Sequence, residues 1–171
     1  MIRTPLCDLL EVEFPVALGG LGSGHTNPAM VGAVANAGGI GAIGLAGYTS
    51  DEIQTAVSEI RILTDKPFAL NFLLFLIGEE AFQTALDEKP AIMAFAWPRK
   101  DQDLKPFFDR AHSAGCKITF MAGTVLQARK DGDINNAPLS FGQDAGLIHD
   151  IPSAGEIVQR VAEEASKILG R

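Results

Sequence analysis

Short apolar segments recur along the chain at regular intervals, and no polar residues alternate inside them. Five segments fit buried strands: 14–19 (FPVALG), 39–44 (GIGAIG), 67–74 (PFALNFLL), 91–97 (AIMAFAW) and 117–123 (KITFMAG). Continuous runs of Val, Ile, Leu, Phe and Ala are typical of strands that are buried on both faces of a parallel sheet. The pattern therefore predicts five short parallel strands.

Between these segments the apolar positions follow the spacing of a helix face. After Thr49, which forms a capping box with Glu52, apolar residues fall at i, i+3, i+4 and i+7. The same spacing recurs from Leu104 to Ala111, before Gly115, and a third helix is expected from Pro28 to the Gly38–Gly39 pair. Strands and helices that alternate in this way predict βαβ units with right-handed crossovers.

Five βα units fit either an open doubly wound sheet or part of an eight-stranded barrel, and both place functional loops at the carboxyl ends of the strands. The loop with Gly20, Leu21 and Gly22 follows the first strand directly. Its glycines allow backbone N–H groups to approach a ring or a phosphate, although a flexible loop is the alternative. Asn71 is an amide in an apolar strand, so it bonds neighbouring backbone or reaches a ligand.

Three further features carry less specific signals. The G-x-G-x-x-G match at Gly39, Gly41 and Gly44 lies in a strand rather than in a turn that opens a helix, so close helix packing explains it better. His25 lies in the glycine loop and is a weak candidate for catalysis, and the histidines are not spaced as a metal site. Trp97 either lines a pocket or fills packing space.

Composition narrows the class of protein. The chain has 171 residues, 47% of them hydrophobic and 20% charged, which is typical of one globular domain. A net charge of −7 without a basic run disfavours nucleic acid as a partner. The longest apolar run is shorter than the ~20 residues that span a membrane. Cys7 and Cys116 lie far apart and are expected to be buried thiols, which favours a cytoplasmic location.

Several segments follow one another in a characteristic order: IRTPLCDLLEVEFPV, the glycine loop, VANAGGIGAIG, LTDKPFALNFLL, MAFAWP and AHSAGCKITFMAGTVLQARK. Together they resemble the nitronate monooxygenase (2-nitropropane dioxygenase-like) family, and FMN-dependent enoyl-ACP reductases share much of the pattern. The resemblance implies a partial (β/α)₈ TIM barrel with FMN over the carboxyl ends of its strands. It implies FMN contacts from Gly20, Leu21, Gly22 and Asn71, and oxidation of an alkyl nitronate by O₂ to a carbonyl compound and nitrite.

The chain departs from the family at three places. Leu18 stands where the family usually has Gln, and Met121 where it has Lys or Gln. After Lys130 and Asp131 the chain continues into a segment that resembles the family's C-terminal tail. An internal deletion is therefore expected, without three strands, the phosphate site and the catalytic histidine. We expect residues 1–132 to form the partial barrel and residues 133–171 a loop and a helix on the same domain.

An unclosed barrel has open sheet edges, so the chain is expected to form a homo-oligomer through them, to aggregate, or to cover part of the exposed core with its tail. The tail helix is expected to start at a capping box of Ser153 and Glu156 and to bury one apolar face, formed by Val158, Val161, Ala162, Ala165, Ile168 and Leu169. Two alternatives to an active enzyme remain open. One is a non-catalytic truncated remnant of the family, and the other is an open flavodoxin-like binding domain, whose strand order would be 2-1-3-4-5.

Overall fold

The computed structural model describes residues 3–22, 24–120 and 152–170. Within these ranges the strands are β1 (Gly41–Gly44), β2 (Phe68–Leu73), β3 (Ile92–Ala96) and β4 (Lys117–Phe120). The helices are α1 (Pro5–Leu10), α2 (Pro28–Asn36), α3 (Ser50–Leu63), α4 (Glu79–Asp87), α5 (Lys105–Ser113) and α6 (Ala154–Leu169). All four strands are parallel, and they follow chain order across the sheet.

The first predicted strand, at residues 14–19, runs beside β1 but is shorter than expected. It joins the sheet through one parallel bridge, between Ala17 and Ile40. The Leu18 N–H donates to the Ile40 carbonyl at 2.9 Å, and the Ile40 N–H donates to the Val16 carbonyl at 2.8 Å. Toward the amino end, the Phe14 and Glu13 N–H groups both donate to the Gly38 carbonyl oxygen, at 2.8 and 3.0 Å, so the regular ladder gives way there to a turn-like contact. The prediction was right in position and direction and wrong in extent.

The strand order distinguishes the two architectures that the sequence allowed. With residues 14–19 beside β1, every described neighbour in the sheet is also the neighbour along the chain. A flavodoxin-like sheet would place the second strand outside the first, so that alternative is wrong. Sequential parallel order with helical crossovers is the order of a βα barrel, and the fold is a segment of one.

The helical layer follows the predicted periodicity. In α3 the four residues predicted to face the core are all buried: Ile53, Ala56, Val57 and Ile60. The helix begins at the predicted capping box, in which the Thr49 N–H donates to Glu52 Oε2 at 2.8 Å. Helix α5 ends just before Gly115, which has a φ of +83°. These helices pack on the outer face of the sheet, against Ile43, Leu70, Phe72, Met93 and Phe95.

Two glycines of the G-x-G-x-x-G match, Gly39 and Gly41, are packing residues, as predicted, whereas Gly44 lies against the backbone of the glycine loop. A Cβ added at Gly41 would lie 2.3 Å from the Val31 carbonyl oxygen of α2. A Cβ at Gly39 would lie 2.9 Å from the Val16 carbonyl oxygen. Both glycines therefore allow the backbones of a helix and two adjacent strand segments to approach closely.

Helix α6 begins at the predicted capping box and packs on α2, where Val158 and Ala162 contact Phe14 and Val34. The predicted single buried face is only partly correct. Val161, Ile168 and Leu169 are 45%, 83% and 60% exposed. Among the described residues, α2 and Phe14 cover the side of α6 that carries Val158 and Ala162.

Some predictions fall on residues outside the described ranges. Met121, the junction at residues 130–132 and the tail loop at 133–151 belong to this group. The internal deletion and the division at residue 132 therefore stay predictions. The two cysteines are described, and both are buried as expected, Cys7 fully and Cys116 nearly so. Burial raises the pKa of the Cys116 thiol. Among the described residues, no helix has the length and apolar character needed to cross a membrane.

Candidate functional site

The inner face of the sheet, which points away from the helical layer, carries several small side chains, those of Ala42, Ala69, Ala94 and Ala96, together with Asn71. Larger side chains on the same face are Ile40, Leu73 and Ile92. In a closed barrel this interior is usually filled by Val, Ile and Leu. At the amino ends of the strands, α1 covers the inner face with Cys7 and Leu10. Toward the carboxyl ends the described residues leave open space over this face, enough for a ligand.

A cavity of about 760 Å³ occupies this space. Its size falls within the range of roughly 300–1,000 Å³ that is usual for small-molecule sites. The lining is mainly apolar and includes Leu18, Leu73 and Phe120, with polar side chains at Asn71 and Thr119. No charged side chain belongs to the lining within the described parts of the chain. An apolar cavity with a few polar groups is suited to a flat, largely apolar ring.

The glycine loop at residues 20–22 lies directly on the carboxyl ends of β1 and β2. A Cβ added at Gly20 would lie 2.5 Å from the Asn71 Cβ atom, and one at Gly22 would lie 3.0 Å from the Ala46 Cβ atom. All three loop residues line the cavity, as does Asn71. The structure thus brings the four predicted FMN contacts, Gly20, Leu21, Gly22 and Asn71, to one edge of the cavity.

The hydrogen bonds of Asn71 fit both interpretations that the sequence allowed. Its Nδ2 donates to the Ala94 carbonyl oxygen on the neighbouring strand at 3.4 Å. This bond is long, and it uses one of the two N–H groups of the amide. The half-buried side chain keeps hydrogen-bonding capacity on the side that lines the cavity.

Thr26 holds the glycine loop in place, a role that the sequence did not predict. Its fully buried hydroxyl donates to the Leu21 carbonyl oxygen at 2.8 Å and accepts from the Gly44 N–H at 2.9 Å. The hydroxyl therefore joins the middle of the loop to the end of β1. The sequence around Thr26 gives no sign of this role. One partner, Gly44, is 18 residues away in the chain, and the other, Leu21, comes within reach only because of how the loop folds.

Three other residues from the sequence analysis, His25, Leu18 and Trp97, are also described. The His25 side chain is exposed and is not part of the cavity lining, and its backbone N–H donates to the Gly22 carbonyl oxygen at 3.3 Å. Leu18 does line the cavity, so the position where the family usually has Gln offers no hydrogen-bond donor here. Trp97 also lines the cavity and stacks on Phe75, with ring centroids 6.3 Å apart.

The described residues fit one part of FMN. The cavity, the glycine loop and Asn71 suit the ring system, since they combine a flat apolar surface with close backbone and one amide. A phosphate group is normally held by cations or by a cluster of N–H groups. Among the described lining residues no cation is available for it.

The fold and the cavity define a class: proteins with a βα-barrel sheet and a cavity at the carboxyl ends of its strands. Residues 3–92, about half of the chain, match the family model described as nitronate monooxygenase. The chain belongs to this family of oxidoreductases.

Among curated proteins, a Rhodococcus jostii (3aS,4S,5R,7aS)-5-hydroxy-7a-methyl-1-oxo-octahydro-1H-indene-4-carboxyl-CoA dehydrogenase is 40% identical over 148 residues, which cover 86% of this chain and 38% of that protein. A nitronate monooxygenase of Paraburkholderia phytofirmans is 38% identical over 69 residues, or 40% of this chain and 19% of that protein. The chain spans well under half of the length of these relatives.

Solved structures give the same architecture. The structure of FabK from Thermotoga maritima matches with a TM-score of 0.64 and 28% identity, over 77% of this chain and 41% of that one. A nitroalkane oxidase from Streptomyces ansochromogenes matches with a TM-score of 0.61, over 74% of this chain and 45% of that one. At 19% identity, the second match supports the fold alone.

Proposed function

We propose that this chain carries the flavin-ring site of an FMN-dependent oxidoreductase. The observation that supports the proposal is the meeting of the glycine loop and Asn71 at the edge of a cavity lined by small side chains. When bound, FMN supplies the electron transfer. The chain's own residues would hold the ring: Asn71 by hydrogen bonding, the 20–22 loop by close backbone contact, and the apolar lining by excluding water.

The proposed reaction is the oxidation of an alkyl nitronate by O₂ to a carbonyl compound and nitrite. The family match over residues 3–92 supports it. A catalytic role for His25 has less support, since its exposed side chain lies outside the cavity lining. We also propose a cytoplasmic location, which two buried free thiols favour. Self-association through the edge of β4 is a further proposal that light scattering of the purified chain would check.

A second candidate function is the dehydrogenation of a CoA thioester. One observation favours it: the Rhodococcus jostii relative aligns with 86% of this chain, whereas the Paraburkholderia phytofirmans nitronate monooxygenase aligns with 40%. Oxygen consumption with an alkyl nitronate would support the first function. Reduction of an artificial electron acceptor by an acyl-CoA would support the second, and flavin binding with neither activity would identify a non-catalytic remnant.

Replacing Asn71 by Ala is expected to weaken FMN binding by about 3- to 10-fold, the effect of losing one hydrogen bond of 0.5–1.5 kcal/mol. The measurement is a titration of the full chain with FMN, followed by flavin fluorescence and the visible spectrum. Asn36→Ala is the matched control, because the Asn36 amide also donates to a backbone carbonyl, that of Leu63, but lies on α2 outside the cavity.

The control variant is expected to bind FMN as the unaltered chain does, even if its stability falls. Equal affinities of the Asn71→Ala variant and the unaltered chain would remove Asn71 from the site. The flavin proposal as a whole would be refuted if the unaltered chain, mixed with excess FMN and then separated from free FMN, shows no flavin absorbance.

A further inference from the structure

Trp97 has an unusual backbone conformation at the mouth of the cavity. It follows β3 directly, at the carboxyl end, and its φ is +54°. A bulky residue rarely adopts this left-handed conformation, because its Cβ approaches its own carbonyl oxygen. In a continuing strand the Trp97 side chain would point to the same side as Met93 and Phe95, toward the helices. The positive φ of Trp97 interrupts this regular alternation, and Trp97 lines the cavity, as do Phe95 and Phe120 beside it.

Neighbouring groups hold this conformation in place. The Trp97 ring stacks on Phe75 with an interplanar angle of 22°, and the Phe75 N–H donates to the Trp97 carbonyl oxygen at 3.2 Å. Two side chains of the following loop also donate to the chain just after β2. Arg99 Nη2 donates to the Phe75 carbonyl oxygen at 2.8 Å, and Gln102 Nε2 donates to the Leu74 carbonyl oxygen at 3.1 Å.

Backbone strain persists only where the surroundings over-determine it, and it concentrates at ligand-binding sites. Here four contacts to one short segment keep a large aromatic ring at the cavity wall. The other described non-Gly residues with positive φ, Glu11 and Lys89, follow the ends of helices, whereas Trp97 follows a strand and lines the cavity. This position at the cavity points to contact with a ligand.

We propose that Trp97 is a ligand-contacting residue that packs against the ring system of FMN. The inference rests on the proposed flavin function and extends the site to a residue on the next strand. Asn71 pairs with Ala94, and Trp97 lies three residues further along. Strand geometry then separates Asn71 and Trp97 by roughly 11 Å, a distance that a three-ring system can bridge. Aromatic rings favour such stacked or tilted contacts.

The test uses the fact that the chain contains one tryptophan. The full chain is titrated with FMN while tryptophan emission and flavin emission are recorded together. The expected result is quenching of the tryptophan emission over the same FMN concentrations that saturate the flavin signal. Quenching that does not saturate would indicate light absorption by free FMN and would overturn the inference.

Three variants separate ligand contact from a purely structural role. Trp97→Phe keeps a flat ring and should bind FMN within about threefold of the unaltered chain, whereas Trp97→Ala should bind about tenfold more weakly. Trp97→Gly lacks the ring as well but accepts the positive φ, so it should melt at a higher temperature than Trp97→Ala. Its FMN affinity should nevertheless be as low as that of the Ala variant.

The outcomes distinguish the inference from the proposal beneath it. A saturable flavin signal with unchanged tryptophan emission, or tight FMN binding by Trp97→Ala, would overturn the role of Trp97 and leave the flavin function standing. If Trp97→Gly were both more stable than Trp97→Ala and tighter in FMN binding, Trp97 would have a purely structural role. That result would also overturn the inference. The absence of any flavin signal with the unaltered chain would refute both.

Discussion

The Gly44→Ala variant is expected to lose about 3 kcal/mol of unfolding free energy, at the upper end of the usual cost of overpacking. A Cβ at this position would lie 2.6 Å from both the carbonyl carbon and the carbonyl oxygen of Leu21, and 2.8 Å from the Gly22 nitrogen. These are backbone atoms, so no side-chain rotation relieves the contact. The loop at residues 20–22 must move away from β1, and FMN binding should be lost with it. Urea denaturation and FMN titration measure the two effects.

The matched control is Gly19→Ala, at the residue just before the glycine loop. No atom lies within 4 Å of a Cβ added there, so the change in stability should stay within about 0.5 kcal/mol. Thr26→Val tests the same junction without adding bulk at the strand, because it removes the hydroxyl that joins Leu21 to Gly44. If the Gly44→Ala variant were as stable as the unaltered chain and bound FMN equally well, the loop would not rest on β1 as described.

The Phe82→Ala variant is expected to lose about 3–5 kcal/mol, the usual cost of removing a buried Phe side chain. Phe82 is fully buried at the centre of the helical layer. Its ring lies 6.1 Å from that of Phe72, 6.0 Å from Phe95 and 5.4 Å from Phe107, measured between centroids. It therefore connects α4 with β2, β3 and α5, and its removal leaves a cavity among all four elements.

Ile62→Ala is the control for Phe82, since the Ile62 side chain is 83% exposed and its loss should change stability by less than about 0.5 kcal/mol. Denaturant titrations of both variants give the comparison. Because Phe82 lies on the helical side of the sheet, the folded fraction of Phe82→Ala should bind FMN normally. A loss below about 1 kcal/mol would contradict the central position of Phe82 in the core.

Much of the helical layer could be predicted from local sequence. The α3 spacing of Ile53, Ala56, Val57 and Ile60, together with its capping box, predicted both the start and the buried face of that helix. Helix α4 carries a weaker signal at its start, because its N-cap residue is Gly78 and no side chain caps the helix. Its buried residues, Phe82, Ala85 and Leu86, do follow the i, i+3, i+4 spacing of a helix face.

The candidate site was partly predictable for a different reason. Two features lay at the carboxyl ends of predicted strands: Asn71 in its apolar strand, and the glycines that follow the first strand. In a parallel sheet the carboxyl ends of all strands lie at the same edge, so these features were expected to be close together. Their contact, with the Gly20 backbone against the Asn71 side chain, depends on the position of the loop. That position is set by Thr26, whose role is visible only in three dimensions.

The sequence by itself determined the periodicity of strands and helices, the helix caps, the burial of both cysteines and the family. These properties depend on residue spacing and composition within short segments. Tertiary structure alone decided the sequential strand order, the short pairing of residues 14–19, the partial burial of α6 and the left-handed turn at Trp97. Each of them arises from contacts between segments that are distant in the chain, and no local pattern encodes such contacts.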